Sequence, residues 1–159
     1  VPETIDSGLL IETIEIIEKD MQVFFDLKKP TIGVLGLNPH AGEEGLLGKE
    51  ELLIIEPTIE YLRKKNKNII GPISADTAFL QNLDLDIILA LYHDQGLPLF
   101  KFVNPHQAAN VTLGLPIIRT SVDHGIALDL TASNNVNNES LHYALMTAKK
   151  MYQSCAEKN

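Results

Sequence analysis

Leu10, Ile14, Ile17, Met21 and Phe24 recur at three- and four-residue steps through residues 7–27. That spacing places them on one face of an amphipathic helix, with Asp6 or Ser7 as its N-cap. After Pro30 the pattern changes to a short continuous apolar run, 31–37, which reads as a strand. Residues 38–48 hold Pro39, Gly42, Gly45 and Gly48 and read as a loop. The helical spacing returns over 50–65, where Pro57 either kinks the helix or starts a second one. A short strand is expected at 68–70, a turn at Gly71-Pro72, and a short helix capped by Ser74 and running to Phe79. Residues 86–91 form the second clear strand, and a helix starts within 94–102. Residues 110–115 and 117–120 look extended. A helix over 139–154 carries Leu141, Leu145, Ala148 and Tyr152 on one face, and the polar stretch SNNVNN before it reads as a mobile loop.

Helices thus alternate with short, nearly continuous apolar strands. That is the signature of an α/β fold with a mostly parallel sheet and flanking helices. At 159 residues the chain is about one domain, with 45% hydrophobic and 21% charged residues, as in an ordinary globular protein. No apolar run approaches a membrane span, and no secretory leader is visible. The single cysteine, Cys155, excludes an internal disulfide and a cysteine-based zinc site and suits a reducing cytoplasm. A net charge of −8 argues against nucleic-acid binding. The main basic run, Arg63-Lys64-Lys65-Asn66-Lys67, reads as a helix end whose cations complement the helix dipole. Between 68 and 148 the only cations are Lys101 and Arg119, which marks both as candidate anion binders.

In open α/β sheets ligands gather beyond the carboxyl ends of the strands. Two such ends carry unusual chemistry: GLNPHAGEEG places His40 just past the first strand, and LYHDQG places His93 just past the second clear one. Two imidazoles on one edge suit a divalent metal, with a third ligand from Asp76, Asp94, Asp123, a missing segment or a second subunit. The alternative for each histidine is an ordinary loop residue satisfied by backbone. The glycines of GEEGLLG match neither GxGxxG nor GxxxxGK, so a turn is preferred to a phosphate cradle, with Glu43 and Glu44 as charges at a helix start. Arg119 sits in an apolar context just before Asp123-His124-Gly125. It reads either as half of an internal Arg–Asp pair or as an anion-binding group. His106 and His142 read as surface residues.

Taken together, GLNPHAGEEGLLGKEE, GPISADTAF, YHDQGLPLFK and NVTLGLPIIRTSVDHGIALDL resemble, in order, the motifs of the 4-hydroxythreonine-4-phosphate dehydrogenase family of pyridoxal-phosphate (vitamin B6) biosynthesis, in its C-terminal half. FVNPHQAAN departs from the family's usual glycine- and arginine-containing segment. The resemblance implies an isocitrate-dehydrogenase-like fold. Residues 1–103 would belong to a central metal-binding and dimerisation domain, and 104–159 would return to a cofactor-binding domain. It implies that His40 and His93 are two of three histidine ligands to a divalent ion (Zn, Mg or Co), with Asp76 and Asp94 in the metal and substrate shell. Lys101, Asn110 and Arg119 would bind the phosphorylated substrate, with Lys101 and Asp94 catalytic. Asp123, His124 and Gly125 would lie near NAD or NADP, without a Rossmann fingerprint. The implied reaction oxidises 4-phosphohydroxy-L-threonine and decarboxylates the product to 3-amino-2-oxopropyl phosphate, in a cytoplasmic homodimer with a shared active site. The family's third histidine and a substrate-gripping His-Thr pair fall upstream of Val1, so these 159 residues alone are expected to be inactive. Two alternatives stand beside this: a dehydrogenase for another phosphorylated hydroxy acid, such as a four-carbon sugar-acid phosphate, and a non-catalytic dimerisation fragment.

Overall fold

The computed structural model describes residues 2–80, 83–104, 107–125 and 137–157. Helix α1 spans Ser7–Phe25. It starts where expected because the Asp6 carboxylate accepts the Leu9 N–H at 2.9 Å, satisfying a first-turn donor that no helical carbonyl can reach. It stops at Asp26, whose backbone turns left-handed, φ 59°.

Strand β1, Ile32–Leu35, is buried along its whole length. It is central in a three-stranded parallel sheet of order β2-β1-β3, between β2 (Ile69–Ile73) and β3 (Ile87–Leu89). Side chains alternate across a strand. Ile32 and Val34 therefore face one core with Leu10, Ile14 and Ile17 of α1 and with Ile59 and Leu62 of helix α2, Glu56–Lys64. Leu35 points the other way, to a smaller cluster with Ile73 and Ala78. Each fully buried aliphatic side chain contributes roughly 1.5–3 kcal/mol, so the α1–β1–α2 sandwich anchors the sheet. Pro57 lies in the first turn of α2, and the chain is already wound before it. The turn before it, Glu51–Ile55, is wound as a π-helix.

Helix α3 is Leu97–Val103. Strands β4 (Asn110–Val111) and β5 (Thr120–Ser121) pair antiparallel as a separate ribbon. Helix α4, Glu139–Ala156, packs on α1 and on β5. Arg63 and Lys64 end α2 as expected, and Arg63 also donates from Nε to the Ile69 carbonyl at 2.9 Å. Among the described residues no helix is long and apolar enough to cross a membrane.

Three expectations are corrected. Gly71-Pro72 is not a turn: both residues lie inside β2. Gly71, at φ 144°, lies against the Val34 carbonyl, where a Cβ would approach to 2.5 Å, and the pairing register slips between Gly33 and Leu35. An irregularity of this kind lets proline sit within a strand. Residues 75–80 form turns instead of a helix, and the Ser74 hydroxyl donates to the Asp76 carboxylate instead of capping. Of the stretches expected to be extended, Asn110–Val111 and Thr120–Ser121 are the parts that pair, as the antiparallel ribbon. On α4 the buried residues are Ser140, Ala144 and Met151, while Leu141, Leu145 and Tyr152 are exposed. Ser140 and Ala144 are small enough to let another element approach closely, and that rotates the larger apolar face outward. His142 is exposed as expected; His106 and residues 133–136 of SNNVNN lie outside the described residues.

Candidate active site at the carboxyl edge of the sheet

Because β2, β1 and β3 are parallel, their carboxyl ends share one edge. Each end delivers a polar side chain within five residues: Asp76 after β2, His40 after β1 and His93 after β3. His40 Nδ1 and Asp76 Oδ2 stand 3.9 Å apart, too far for a hydrogen bond but close enough to interact electrostatically. The hydrogen bond from Ser74, helped by backbone donors and by His40, holds the Asp76 carboxyl below its ordinary value against the opposing effect of burial. The side chains of His40, Asp76, His93 and Asp94 are all more than half exposed.

The segment bearing His40 is not an ordinary loop. Residues 40–45 all have positive φ: His40 52°, Ala41 53°, Gly42 85°, Glu43 43°, Glu44 54° and Gly45 91°. This is a left-handed turn, and each of its four non-glycine residues carries roughly 1–2 kcal/mol of backbone strain. Glu43 and Glu44 therefore belong to this turn and not to a helix start. What holds it lies downstream. Glu51 is 1% exposed, and its two oxygens accept the backbone N–H and the side-chain amide of Asn38, both at 2.8 Å. The same amide also donates to Glu50 at 2.7 Å. Burial pushes the Glu51 carboxyl up, but the donors on Asn38 and the nearby backbone outweigh it and hold it below its ordinary value of 4.5. Glycines seal the assembly. A Cβ on Gly42 would lie 2.7 Å from Glu51 Oε2, and one on Gly48 would lie 2.1 Å from the Asn38 amide nitrogen.

His93 opens a short 3-10 turn, His93–Gln95. Its Nδ1 lies 2.6 Å from Asp94 Oδ1. With Asp94 accepting, a neutral His93 carries its proton on Nδ1 and keeps a lone pair on Nε2, the tautomer a metal ligand requires. Gln95 is buried: its Oε1 accepts the Leu91 N–H at 2.7 Å, and its Nε2 donates to the Gly36 carbonyl at 2.5 Å. One amide thereby ties the His93 turn to the end of the strand that carries His40. An open apolar cleft of about 700 Å³ runs along β3, with Phe79, Tyr92 and His93 among its walls.

The candidate anion binders lie on neighbouring elements. Lys101, on α3, is exposed, and its ammonium donates to the Asp123 carbonyl at 2.7 Å. Asn110 is the first residue of β4, and Arg119 directly precedes β5. Arg119 is exposed, not buried, and donates to the Thr112 hydroxyl at 2.8 Å; no Arg–Asp pair forms among the described residues. The ribbon is docked on α1 by Asp20, a buried carboxylate that accepts the Gly114 N–H at 2.6 Å. His124 and Gly125 are exposed, and a Cβ on Gly125 would meet nothing within 4 Å. That is room for a ligand without a grip on one. The remainder of the IALDL stretch, 126–130, lies outside the described residues.

Two imidazoles and a carboxylate are the donor types a borderline divalent ion takes, so the residues present fit such an ion. Among the described residues, however, no three His, Cys, Asp or Glu side chains gather closely enough to hold one. The described residues offer donors along one edge, not a closed shell. Sequence reasoning missed Glu51, Gln95 and Asp20 in this arrangement. Gln95 stood inside the YHDQG motif, and its position beside His93 was the available signal. Glu51 and Asp20 gave none, because a buried acceptor cannot be told from a solvated helix charge by spacing alone.

The family model described as pyridoxal phosphate biosynthetic protein PdxA matches residues 1–148. The chain is 55% identical over 146 residues to a 4-hydroxythreonine-4-phosphate dehydrogenase of Ectopseudomonas mendocina, covering 91% of this chain and 43% of that protein. Among solved structures, a 4-hydroxythreonine-4-phosphate dehydrogenase from Burkholderia phymatum superposes with a TM-score of 0.78 at 39% identity, over 94% of this chain and 46% of that one. A terephthalate 1,2-cis-dihydrodiol dehydrogenase from Burkholderia xenovorans superposes with a TM-score of 0.72 at 28% identity, over 92% and 47%. The chain spans about half the length of the curated relatives it matches.

Proposed function

The chain belongs to the pyridoxal phosphate biosynthetic protein PdxA family, and from that premise we propose that it forms part of an NAD- or NADP-dependent dehydrogenase that oxidises 4-phosphohydroxy-L-threonine, with decarboxylation to 3-amino-2-oxopropyl phosphate. The observation that carries this reading is the common carboxyl edge of three parallel strands, with Asp76, His40 and His93 each following one strand end. His40 and His93 are the metal ligands of this reading. When bound, a divalent ion (Zn, Mg or Co) would supply Lewis-acid chemistry, and NAD or NADP bordered by Asp123, His124 and Gly125 would supply the hydride acceptor.

This chain's own residues prepare that chemistry. Asp94 keeps the His93 proton on Nδ1 and so leaves Nε2 open. Asp76 stays ionised beside His40, so a cation arriving at the edge meets a fixed negative charge. Lys101 and Arg119 neutralise the substrate phosphate, with Asn110 donating from the same ribbon. Lys101 is also the proton-handling group of this reading, with Asp94 as the second catalytic group. Asp123, His124 and Gly125 line the cofactor side. Neutral imidazoles bind a cation without cancelling its charge, which suits an ion that must act on a developing anion. The remaining donors come from outside these residues, in a homodimer with a shared site. A reducing cytoplasmic setting accords with the lone Cys155.

The test uses the full-length protein. Wild type should turn over 4-phosphohydroxy-L-threonine with NAD or NADP and hold a divalent ion, and His93→Ala should lose both. Wild-type metal content and turnover in His93→Ala would remove the ligand role. Likeness to a dehydrogenase with a terephthalate dihydrodiol in its name keeps a second reading open: the same fold and edge acting on another hydroxy acid. Turnover of a different phosphorylated hydroxy acid in a substrate panel, with none of 4-phosphohydroxy-L-threonine, would favour it.

A further inference from the structure

Resting on the reading of His40 as a metal ligand, we propose that Glu51, acting through Asn38, is a positioning residue that holds the His40 turn in its left-handed form and presents the imidazole at the sheet edge before any ion arrives. Three observations carry it. Residues 40–45 stand in a conformation that L-residues do not keep unaided, so something outside the turn must determine it. Glu51 is that something by position: it is fully buried where an apolar residue would be the default. It forms no ion pair among the described residues. Both its oxygens are spent on Asn38, two residues before His40. The fit is closed on the opposite side as well, since Gly42 and Gly48 leave no space for a Cβ against Glu51 and Asn38. Both side-chain oxygens of the buried charge are held by Asn38, and Asn38 opens the turn. A backbone fixed before binding spares the ion the ordering of the loop, and affinity gains accordingly.

The experiment compares wild type, Glu51→Ala, Glu51→Gln, Asn38→Ala, Gly42→Ala and His40→Ala in the full-length protein, with two readouts. One is amide hydrogen exchange across 38–48 in metal-free protein; the other is Co²⁺ affinity by titration. Glu51→Ala, Asn38→Ala and Gly42→Ala should speed exchange in 38–48 at least about tenfold. Each should also weaken Co²⁺ binding about tenfold or more. Glu51→Gln, which keeps one oxygen for the Asn38 N–H, should recover part of both. His40→Ala should lose Co²⁺ affinity while its exchange stays near wild type. Wild-type exchange and affinity in all three disrupting variants overturn the proposal, as does a lowered melting temperature with neither readout changed. If His40→Ala binds Co²⁺ like wild type, the ligand reading fails, and the exchange data still decide whether Glu51 positions the turn. Should Glu51→Ala fail to fold, Asn38→Ala and Gly42→Ala carry the same comparison.

Discussion

The two histidine-bearing turns leave neighbouring strands at the same edge, yet they are held by opposite means. The His40 turn runs left-handed through six residues and is fixed by a carboxylate that follows it in sequence. The His93 turn contains no residue of positive φ and is fixed by a side chain within itself, the Gln95 amide. The first stores strain and relies on a buried charge; the second is relaxed and relies on two neutral hydrogen bonds. They meet at Gly36, whose carbonyl accepts from Gln95 and whose α-carbon lies against Ala41 closely enough that a Cβ would approach it to 2.8 Å. The lesson is that placing two ligands on adjacent strands brings them only to the same edge. Their relative position is then set by hydrogen bonds that neither histidine makes.

Breaking the link between the turns should have the largest effect. Gln95→Leu leaves the Leu91 N–H and the Gly36 carbonyl without their partner, a loss of about 2–4 kcal/mol, measurable by denaturant unfolding of the full-length protein. A loss under about 0.5 kcal/mol would mean water replaces the amide and the turns are not tied. Next is Gly48→Ala. Its Cβ would collide with the Asn38 amide, and overpacking of that kind costs about 1–3 kcal/mol.

The comparison is sharpened by a substitution of opposite sign. Ala41 sits at φ 53°, so Ala41→Gly should stabilise by about 0.5–1 kcal/mol. Asp94→Gly in the relaxed turn should bring no gain. Equal effects at the two positions would show that the left-handed turn carries no strain in solution.

Much of the fold was legible because α1, β1, α2 and β3 are held by apolar periodicity, and the cap at Asp6 is local chemistry. The strand ends were legible for the same reason: His40 and His93 interrupt apolar runs. What escaped depends on close approach, which sequence spacing does not encode. The bulge at Gly71 turned an apparent turn into strand. The small residues Ser140 and Ala144, not the larger Leu141 and Leu145, chose the buried face of α4. Glu51 passed unnoticed within the helical spacing of 50–65 because the pattern cannot say that Asn38 folds back onto it.

The smallest expected effect is on pH dependence. The Glu51 carboxyl is held below its ordinary value of 4.5 in the folded chain. Its contribution is therefore complete above the unfolded value and fades as pH falls through the lower folded one. Stability of the wild type should decline from about pH 4.5 downward more steeply than that of Glu51→Gln, as read from melting temperatures across that range. Parallel curves would mean that Glu51 binds its proton equally in both states.

The central claim, that His40 and His93 serve one ion from one edge, is tested most directly by X-ray absorption of the Co²⁺-loaded full-length protein. The account predicts at least two imidazole nitrogens in the wild-type shell and one fewer in each of His40→Ala and His93→Ala. An unchanged imidazole count in both variants would contradict it.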